Sequence, residues 1–218
     1  MLQTRHVPAA DSLVLAPGVE LARARAHEAT GPARTVFALL AAGRLQGPVL
    51  WLQSTWSTDR LMGDGIRRFL DPARLVFGRA RTPLELLWAT EEALRTGLMP
   101  LVVVELPDPP GLTPVRRLHL AGKAGAERGA APLALLLTPG RGGTPGIETR
   151  WHFAPAPGWA RDGRPRWRLT RALARMAPER SWEVALAEGR LLLGDEAGHL
   201  PAADEGRRAD QTRIGITT

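Results

Sequence analysis

The sequence predicts an α/β protein with a central, mostly parallel sheet flanked by helices and with antiparallel strands added at its C-terminal side. Two observations favour this fold. Up to residue 137, short apolar runs of buried-strand type are separated by segments with helical periodicity. After residue 146, strand-type runs follow one another without helices between them. Strands separated by helices pair in parallel, because the crossover returns the chain to the edge from which it started.

The N-terminal part combines an arm with the first elements of the domain. Residues 1–19 contain Pro8, Pro17 and Gly18 and are predicted to form this arm. Its apolar pieces either dock on a neighbouring subunit or cover their own domain. A strand-type run at 21–29 then begins the domain. The following elements comprise strands at 48–53, 74–78, 101–106 and 133–137, and helices at 34–42, 58–70, 83–96 and 115–127.

The pattern changes in the C-terminal third of the chain. Strand-type runs without helices indicate an antiparallel extension, because neighbouring antiparallel strands need only a short turn. Residues 195–218 are polar, lack periodicity and are predicted to be a mobile tail, so the domain is expected to span residues 20–194. The predicted strands of the extension are 148–153, 166–170, 182–187 and 190–193.

Composition limits the classes of function. The chain has 218 residues, is 44% hydrophobic and carries a formal net charge of +7, which suits a folded domain with a polyanionic partner such as nucleic acid. Nearly all of this positive charge is arginine, since Lys123 is the only lysine, and a bias in coding composition would have the same effect. The absence of cysteine excludes disulfides and thiolate metal sites. No signal peptide or membrane span is apparent, so we expect a cytoplasmic protein that does not bind membranes.

Several segments resemble RecA in the order of their elements. Residues 26–32 and the apolar helix after them are similar to the first strand, phosphate loop and first helix of RecA. LVVVEL, at 101–106, resembles the Walker B strand and places Glu105 at its acidic position. LALLLTPG, at 133–140, resembles the strand that leads to the second DNA-binding loop. The resemblance implies a RecA-like core.

A narrower resemblance is carried by GPVLWLQS, LDPARLVF, ELLWATEEALRTG, VRRLHLAG and ETRWHF. These segments, in this order, are similar to the ImuA family, whose members are RecA-like proteins of bacterial damage-induced mutagenesis operons. The resemblance implies a DNA-repair role in translesion synthesis during the SOS response. The implied partners are an inactive Y-family-like polymerase homologue and an error-prone polymerase of the mutasome, with RecA as a further candidate.

The phosphate loop departs from the pattern that ATP hydrolysis needs. A G-x-x-x-x-G-K-[ST] loop cradles phosphates with its backbone N–H groups and its lysine. Here Gly31, Arg34 and Thr35 occupy a shortened loop that has neither a second glycine nor a lysine. No carboxylate follows the strand at 48–53 until Asp59, so no residue is in place to activate water. With Glu105, these residues form a degenerate nucleotide site, and we expect neither enzymatic activity nor a cofactor.

Nucleic-acid binding is predicted for arginines in three places: the start of the helix at 115–127, the Gly/Pro loop at 139–146 and the basic stretch at 150–180. The loop is also explained as a plain Gly-rich connection, and Asp108, Glu105 or solvent would also offset the charge of the helix arginines. Three tryptophans in that stretch, Trp151, Trp159 and Trp167, either stack on bases or fill the core of the extension. The predicted DNA contacts are Arg116, Arg117, Arg141, Arg150, Arg161, Arg164, Arg166 and Arg168.

Other functions remain open at this point. The histidines are scattered without metal-ligand spacing, so we expect no metal. A cell-division inhibitor similar to SulA would use the same degenerate fold to bind a tubulin-like protein. An enzyme would place its site at the carboxyl ends of the parallel strands, near Gln53, Glu105 and Thr138. A homo-oligomer that binds single-stranded or damaged DNA is the main prediction.

Overall fold

A computed structural model of the chain describes residues 12–159, 163–175, 177–194 and 200. Four α-helices occur in this part of the chain: α1 at Arg34–Gly43, α2 at Gly63–Ile66, α3 at Pro83–Thr96 and α4 at Leu112–Ala126. Its strands are β1 Ser12–Ala16, β2 Val19–Ala22, β3 Ala26–Thr30, β4 Val49–Ser54, β5 Leu75–Ala80, β6 Leu101–Glu105, β7 Leu133–Leu137, β8 Thr149–Trp159, β9 Pro165–Ala174, β10 Arg180–Ala187 and β11 Arg190–Leu193.

Nine of these strands form one mostly parallel sheet, in the order β11-β10-β9-β8-β3-β7-β6-β4-β5. The strands from β8 to β5 in this order are all parallel to one another. β9, β10 and β11 continue the sheet beyond β8 in antiparallel pairs. The predicted α/β architecture, with a mostly parallel sheet and antiparallel C-terminal strands, is therefore confirmed.

The sheet is covered on both faces because its central strands are apolar on both sides. Leu101 and Val103 of β6 pack into a core shared with α1, whereas Val102 and Val104 pack into a second core shared with α3 and α4. Alternate residues of a strand point to opposite faces, so one continuous apolar run supplies both cores.

The antiparallel hairpin β1–β2 covers the face that carries α1. Leu13 and Leu15 of β1 are buried in the same core as Val19 and Leu21 of β2. Residues 12–19 of the predicted arm therefore cover their own domain. Residues 1–11, and the predicted tail at 195–218 apart from Leu200, lie outside the described residues.

Several predicted elements are wrong in their extent, and the strands predicted at 148–153 and 166–170 are longer, at Thr149–Trp159 and Pro165–Ala174. The strand predicted at 21–29 is broken into β2 and β3, because Ala24 has a positive φ of 54° that no strand accommodates. The helix predicted at 58–70 is reduced to the single turn of α2. Gly63 and Gly65 weaken helix formation there, and Ile66 and Leu70 are buried without a regular helix.

Helices α3 and α4 lie side by side on the second face. Thr82 and Glu85 form a capping box at the start of α3, where each side chain satisfies the other's backbone N–H, and Pro83 occupies the first turn. Gly111 is the N-cap residue of α4 and provides no side-chain cap. No helix among the described residues is long and apolar enough to cross a membrane.

His27 is a buried polar group at the centre of the sheet. Its Nε2 lies 2.8 Å from the carbonyl oxygen of Ala22, and its Nδ1 lies 2.7 Å from the Thr149 hydroxyl. These contacts suit a neutral ring that donates from Nε2 and accepts at Nδ1. Burial lowers the pKa of His27 from 6.5 to about 4.

This burial predicts a loss of stability in mild acid. Below pH 6.5 the imidazole of His27 takes up a proton in the unfolded chain but stays neutral in the folded protein. The free energy of unfolding therefore falls as the pH drops towards 4. Between pH 6.5 and 4.5 we expect His27 alone to account for a loss of about 2 kcal/mol. Urea denaturation at a series of pH values measures it. His27→Gln should flatten this slope without abolishing it, because burial also lowers the pKa of His119; an unchanged slope would contradict the assignment.

Candidate functional site

The loop predicted as a degenerate phosphate loop is a three-residue connection, Gly31 to Ala33, between β3 and α1. Its backbone donors are largely committed within the protein. Pro32 has no N–H, the Ala33 N–H donates to the carbonyl of Phe153 at 3.0 Å, and the Arg34 N–H donates to the Gly31 carbonyl at 3.2 Å. A phosphate nest needs several free N–H groups that point at one anion. This arrangement does not supply them.

Gly31 closes the loop against the neighbouring strand. It has a φ of 86°, and a Cβ atom placed on it would lie 2.5 Å from the Phe153 carbonyl oxygen and 2.8 Å from Cε1 of His152. Only glycine fits this conformation and this contact. β8 therefore packs directly against this side of the loop.

The acidic residue at the end of β6 is held by neighbouring side chains. Glu105 accepts hydrogen bonds from Trp51 Nε1 at 2.7 Å and from Gln53 Nε2 at 2.9 Å. A cavity of about 170 Å³ lies beside it at the carboxyl ends of the strands and is lined by Arg34 and Ser54 among others. Arg34 donates from Nη1 to the carbonyl of Gly31, and Thr35 follows it in the first turn of α1. Gln53 and Glu105 bind each other, which fits a structural role for both.

The Gly/Pro loop at 139–146 is anchored by a buried carboxylate that the sequence did not single out. Glu28 of β3 is fully buried and accepts hydrogen bonds from the hydroxyls of Thr138 at 2.7 Å and Thr144 at 2.6 Å. The N–H groups of Gly143 and Thr144 approach the same carboxylate at 3.3 to 3.4 Å. The loop therefore folds around Glu28.

Arg150 completes this cluster from β8. Its Nε donates to Glu28, and its Nη2 donates to the Thr144 carbonyl at 3.0 Å. Burial alone would raise the pKa of Glu28, but the hydrogen bonds from Thr144, Arg150 and Thr138 outweigh it and hold the pKa below its ordinary value. Because only 16% of the Arg150 side chain is exposed, its geometry suits the clamp on Glu28 better than a DNA phosphate.

Strands β8 and β9 form a ribbon that runs past the end of β3, with β10 beside β9 as far as Arg166. His152 is the last residue of β8 paired with β3, and β8 then continues to Trp159 beside β9. Trp159 is 69% exposed, whereas Trp151 is fully buried and Trp167 stacks on Phe153 with ring centroids 5.3 Å apart. Trp151 is therefore buried, Trp167 is partly buried, and Trp159 is the most exposed of the three predicted tryptophans.

The arginines of the ribbon share one carboxylate. Arg166 Nη2 and Arg168 Nη2 lie 3.1 and 2.7 Å from the two oxygens of Glu183 on β10. Two guanidinium groups on one carboxylate leave this face with net positive charge. Arg164 lies nearby at the start of β9, and Arg161 is outside the described residues.

The remaining predicted arginines lie at the same edge of the sheet as the ribbon. Arg141 follows β7, and Arg116 lies near the start of α4, which follows β6; both are exposed and have no side-chain partner among the described residues. Arg117, by contrast, contacts Glu91 of α3 at 2.8 Å. The carboxyl ends of parallel strands share one edge, so Arg116, Arg141 and the ribbon are brought to one side of the molecule.

Metal binding finds no support in the described part of the chain, where no group of three His, Asp or Glu side chains is arranged to hold an ion. No protein-family model matches the chain, and a search of curated proteins finds no match either. The function therefore has to follow from the chemistry of the side chains themselves.

The Glu28 cluster predicts a large and local effect of substitution. Glu28→Ala would leave the Arg150 guanidinium buried without its partner, so we expect it to lower the free energy of unfolding by about 3–5 kcal/mol, measured by chemical denaturation. Glu92→Ala removes an exposed carboxylate, 3.6 Å from Arg95, and should cost less than about 1 kcal/mol.

A second measurement locates the effect of the Glu28 substitution. In Glu28→Gln, hydrogen exchange at the amides of Gly143 and Thr144 should accelerate more than exchange in β6, because those two amides donate to the carboxylate. Equal acceleration throughout the domain would contradict a clamp on this loop.

Proposed function

We propose that this chain is a RecA-like, non-catalytic accessory protein of the bacterial DNA-damage response, which binds single-stranded DNA and supports error-prone translesion synthesis. The observation that carries the DNA-binding part is the ribbon of β8 and β9, where the exposed Trp159 pairs with Pro165 and Arg164 and Arg166 flank that proline in the chain. Single-strand binders combine cationic grooves with aromatic faces on which bases stack.

The arrangement of the strands supports a RecA-like core. β3, β4, β5, β6 and β7, which carry the segments that resemble RecA, are neighbours in one parallel sheet. Arg34, at the start of the first core helix, and Glu105, at the end of β6, line the same cavity. A nucleotide site would bring these two positions together, so their proximity favours descent from such a site.

The N–H groups of Ala33 and Arg34 bond within the protein, and Glu105 is bound by Trp51 and Gln53. Both observations support a protein that works without ATP hydrolysis. The proposed partners are a Y-family-like polymerase homologue without activity, an error-prone polymerase and RecA, with assembly into a homo-oligomer in the cytoplasm. A scaffold of this kind needs surfaces for DNA and proteins, and it needs no reacting group.

Stacking on Trp159 predicts a specific loss of DNA affinity. Trp159→Ala should weaken binding of a fluorescein-labelled oligothymidine about tenfold in fluorescence anisotropy, because one base–aromatic stack contributes about 1–3 kcal/mol. Trp88→Ala provides the matched control, since Trp88 is similarly exposed, at 60%, on a different surface. Equal affinities of the two variants and the parent protein would remove Trp159 from the DNA interface.

The arginines of the ribbon should contribute to DNA affinity by contacting the phosphates of the strand. We expect replacement of Arg164, Arg166 and Arg168 by Ala to weaken binding and to reduce the slope of log affinity against log salt, since fewer counterions are released. Circular dichroism checks that the fold survives, since Arg166 and Arg168 both pair with Glu183 of β10. If both the affinity and the salt slope stay unchanged, DNA does not contact this patch.

A further inference from the structure

A cavity of about 170 Å³ lies where three neighbouring parallel strands end. The last residue of each strand lines it: Ser54 of β4, Glu105 of β6 and Leu137 of β7. The carboxyl ends of parallel strands are the usual place for ligands in α/β proteins. Pockets for drug-sized ligands have about 300–1,000 Å³, so this cavity suits a smaller ligand such as a single nucleobase.

The segment that follows β4 forms one wall of the cavity. Trp56 and Asp59 line the cavity from this segment, and Trp56 is 62% exposed. The Thr55 N–H donates to the Ala80 carbonyl at 2.8 Å. Gln53 Nε2 donates to the Asp59 carbonyl at 3.3 Å, so the segment is held at two points. An exposed indole held beside a cavity offers a surface on which a flat heterocycle stacks.

Carboxylates outnumber cations in the lining of the cavity. Among the described residues, the lining contains two carboxylates, Glu105 and Asp59, and one guanidinium, Arg34. The hydrogen bonds from Trp51 and Gln53 to Glu105 both end on Oε1. An ionised carboxylate only accepts hydrogen bonds. The lining therefore disfavours a phosphate and favours a neutral ligand that donates N–H groups.

Ser54 contributes a hydroxyl that the protein itself leaves unpaired. Ser54 is only 5% exposed, and its Oγ has no hydrogen-bond partner in the part of the chain that the structure describes. A buried hydroxyl is nearly always hydrogen-bonded, because leaving it unpaired costs free energy. Since Ser54 lines the cavity, a polar ligand there would supply the missing partner.

The cavity lies on the side of the molecule proposed to bind DNA. Pro139, which lines it, begins the Gly/Pro loop that carries the exposed Arg141. Arg116 and the ribbon lie at the same edge of the sheet. Bases of a single strand are easily unstacked and turned into protein pockets, whereas its phosphates stay on the basic surface. A base of a bound strand is therefore the occupant that this position favours.

We propose that this cavity binds a nucleobase with an exocyclic amino group, supplied by the single-stranded DNA that the ribbon holds. The proposal rests on the DNA-binding function proposed above and adds a preference for particular bases to it. Adenine, cytosine and guanine carry amino groups, whereas thymine does not. Trp56 stacks on the base, and the Ser54 hydroxyl bonds to its ring. Asp59 and Glu105 accept hydrogen bonds from its amino group.

The test compares two strands that differ in one base. Both are fluorescein-labelled oligothymidines with a single central substitution, which is cytosine in one strand and uracil in the other. Uracil carries a carbonyl where cytosine carries its amino group. In anisotropy titrations we expect the cytosine strand to bind about tenfold more tightly, because the carboxylates accept from the amino group and repel the carbonyl. The uracil strand should bind like plain oligothymidine.

Variants of the cavity should remove this preference. Trp56→Ala and Asp59→Asn should bring the two affinities to within about twofold of each other. Trp88→Ala, the matched control with an exposed tryptophan outside the cavity, should keep the preference. Ser54→Ala should also weaken binding of the cytosine strand. Its melting temperature should be unchanged or higher, because the hydroxyl that is lost is an unpaired one.

Equal affinity for the two strands would overturn the proposal, and so would a preference that survives both Trp56→Ala and Asp59→Asn. In either case, oligothymidine binding that Trp159→Ala weakens would leave the DNA-binding function in place. If neither strand binds at low salt, the DNA-binding function itself fails.

The source of the base is tested with free nucleosides. Deoxycytidine and deoxyuridine are titrated separately, with tryptophan fluorescence as the readout. Saturable binding of deoxycytidine, without a preference between the two strands, would assign the cavity to a free nucleoside and overturn the strand as the source.

Discussion

The buried ion pair between Glu28 and Arg150 is the contact on which the arrangement of the sheet depends. β7 and β8 run parallel on either side of β3, yet no helix connects them. The chain returns through residues 138–148 instead, and Glu28 binds this connection at Thr138 and Thr144 before Arg150 closes the cluster from β8. A charge buried this deeply is tolerated only with a full set of hydrogen bonds, and each of these bonds also fixes a segment of backbone.

The placement of β8 beside β3 has two consequences for function. It brings the backbone of β8 against Gly31 and engages the N–H of Ala33, which is then not free to bind an anion. It also carries β8 past the end of β3, so that Trp159 lies on the side of the molecule that holds Arg116 and Arg141. The features that disfavour a nucleotide and those that favour a polyanion therefore share one structural cause.

Residues that mark the ends of helices predicted some elements well. Contacts between residues far apart in the chain could not be predicted from the sequence. The helix at Pro83–Thr96 agrees with its prediction because Pro83 and Gly97 mark both ends. The clamp on Glu28 joins residues 122 positions apart, and only the register of β3 against β8 brings them together. The exposure of Trp159 follows a register irregularity after Pro155, beyond which strand alternation no longer assigns sides. The spacing of apolar residues predicted a helix at 58–70, but Gly63 disfavours helix formation there and only the short α2 forms.

The central claim is a DNA-binding scaffold that works without a nucleotide switch. The most direct measurement is the affinity of the purified protein for single-stranded DNA over a salt series, with and without ATP and Mg²⁺. We predict binding that weakens steeply with salt and is the same whether or not ATP is present. DNA binding that requires ATP would show that the loop at Gly31 still binds the phosphates of a nucleotide. Absence of DNA binding at low salt would contradict the proposed DNA interface itself.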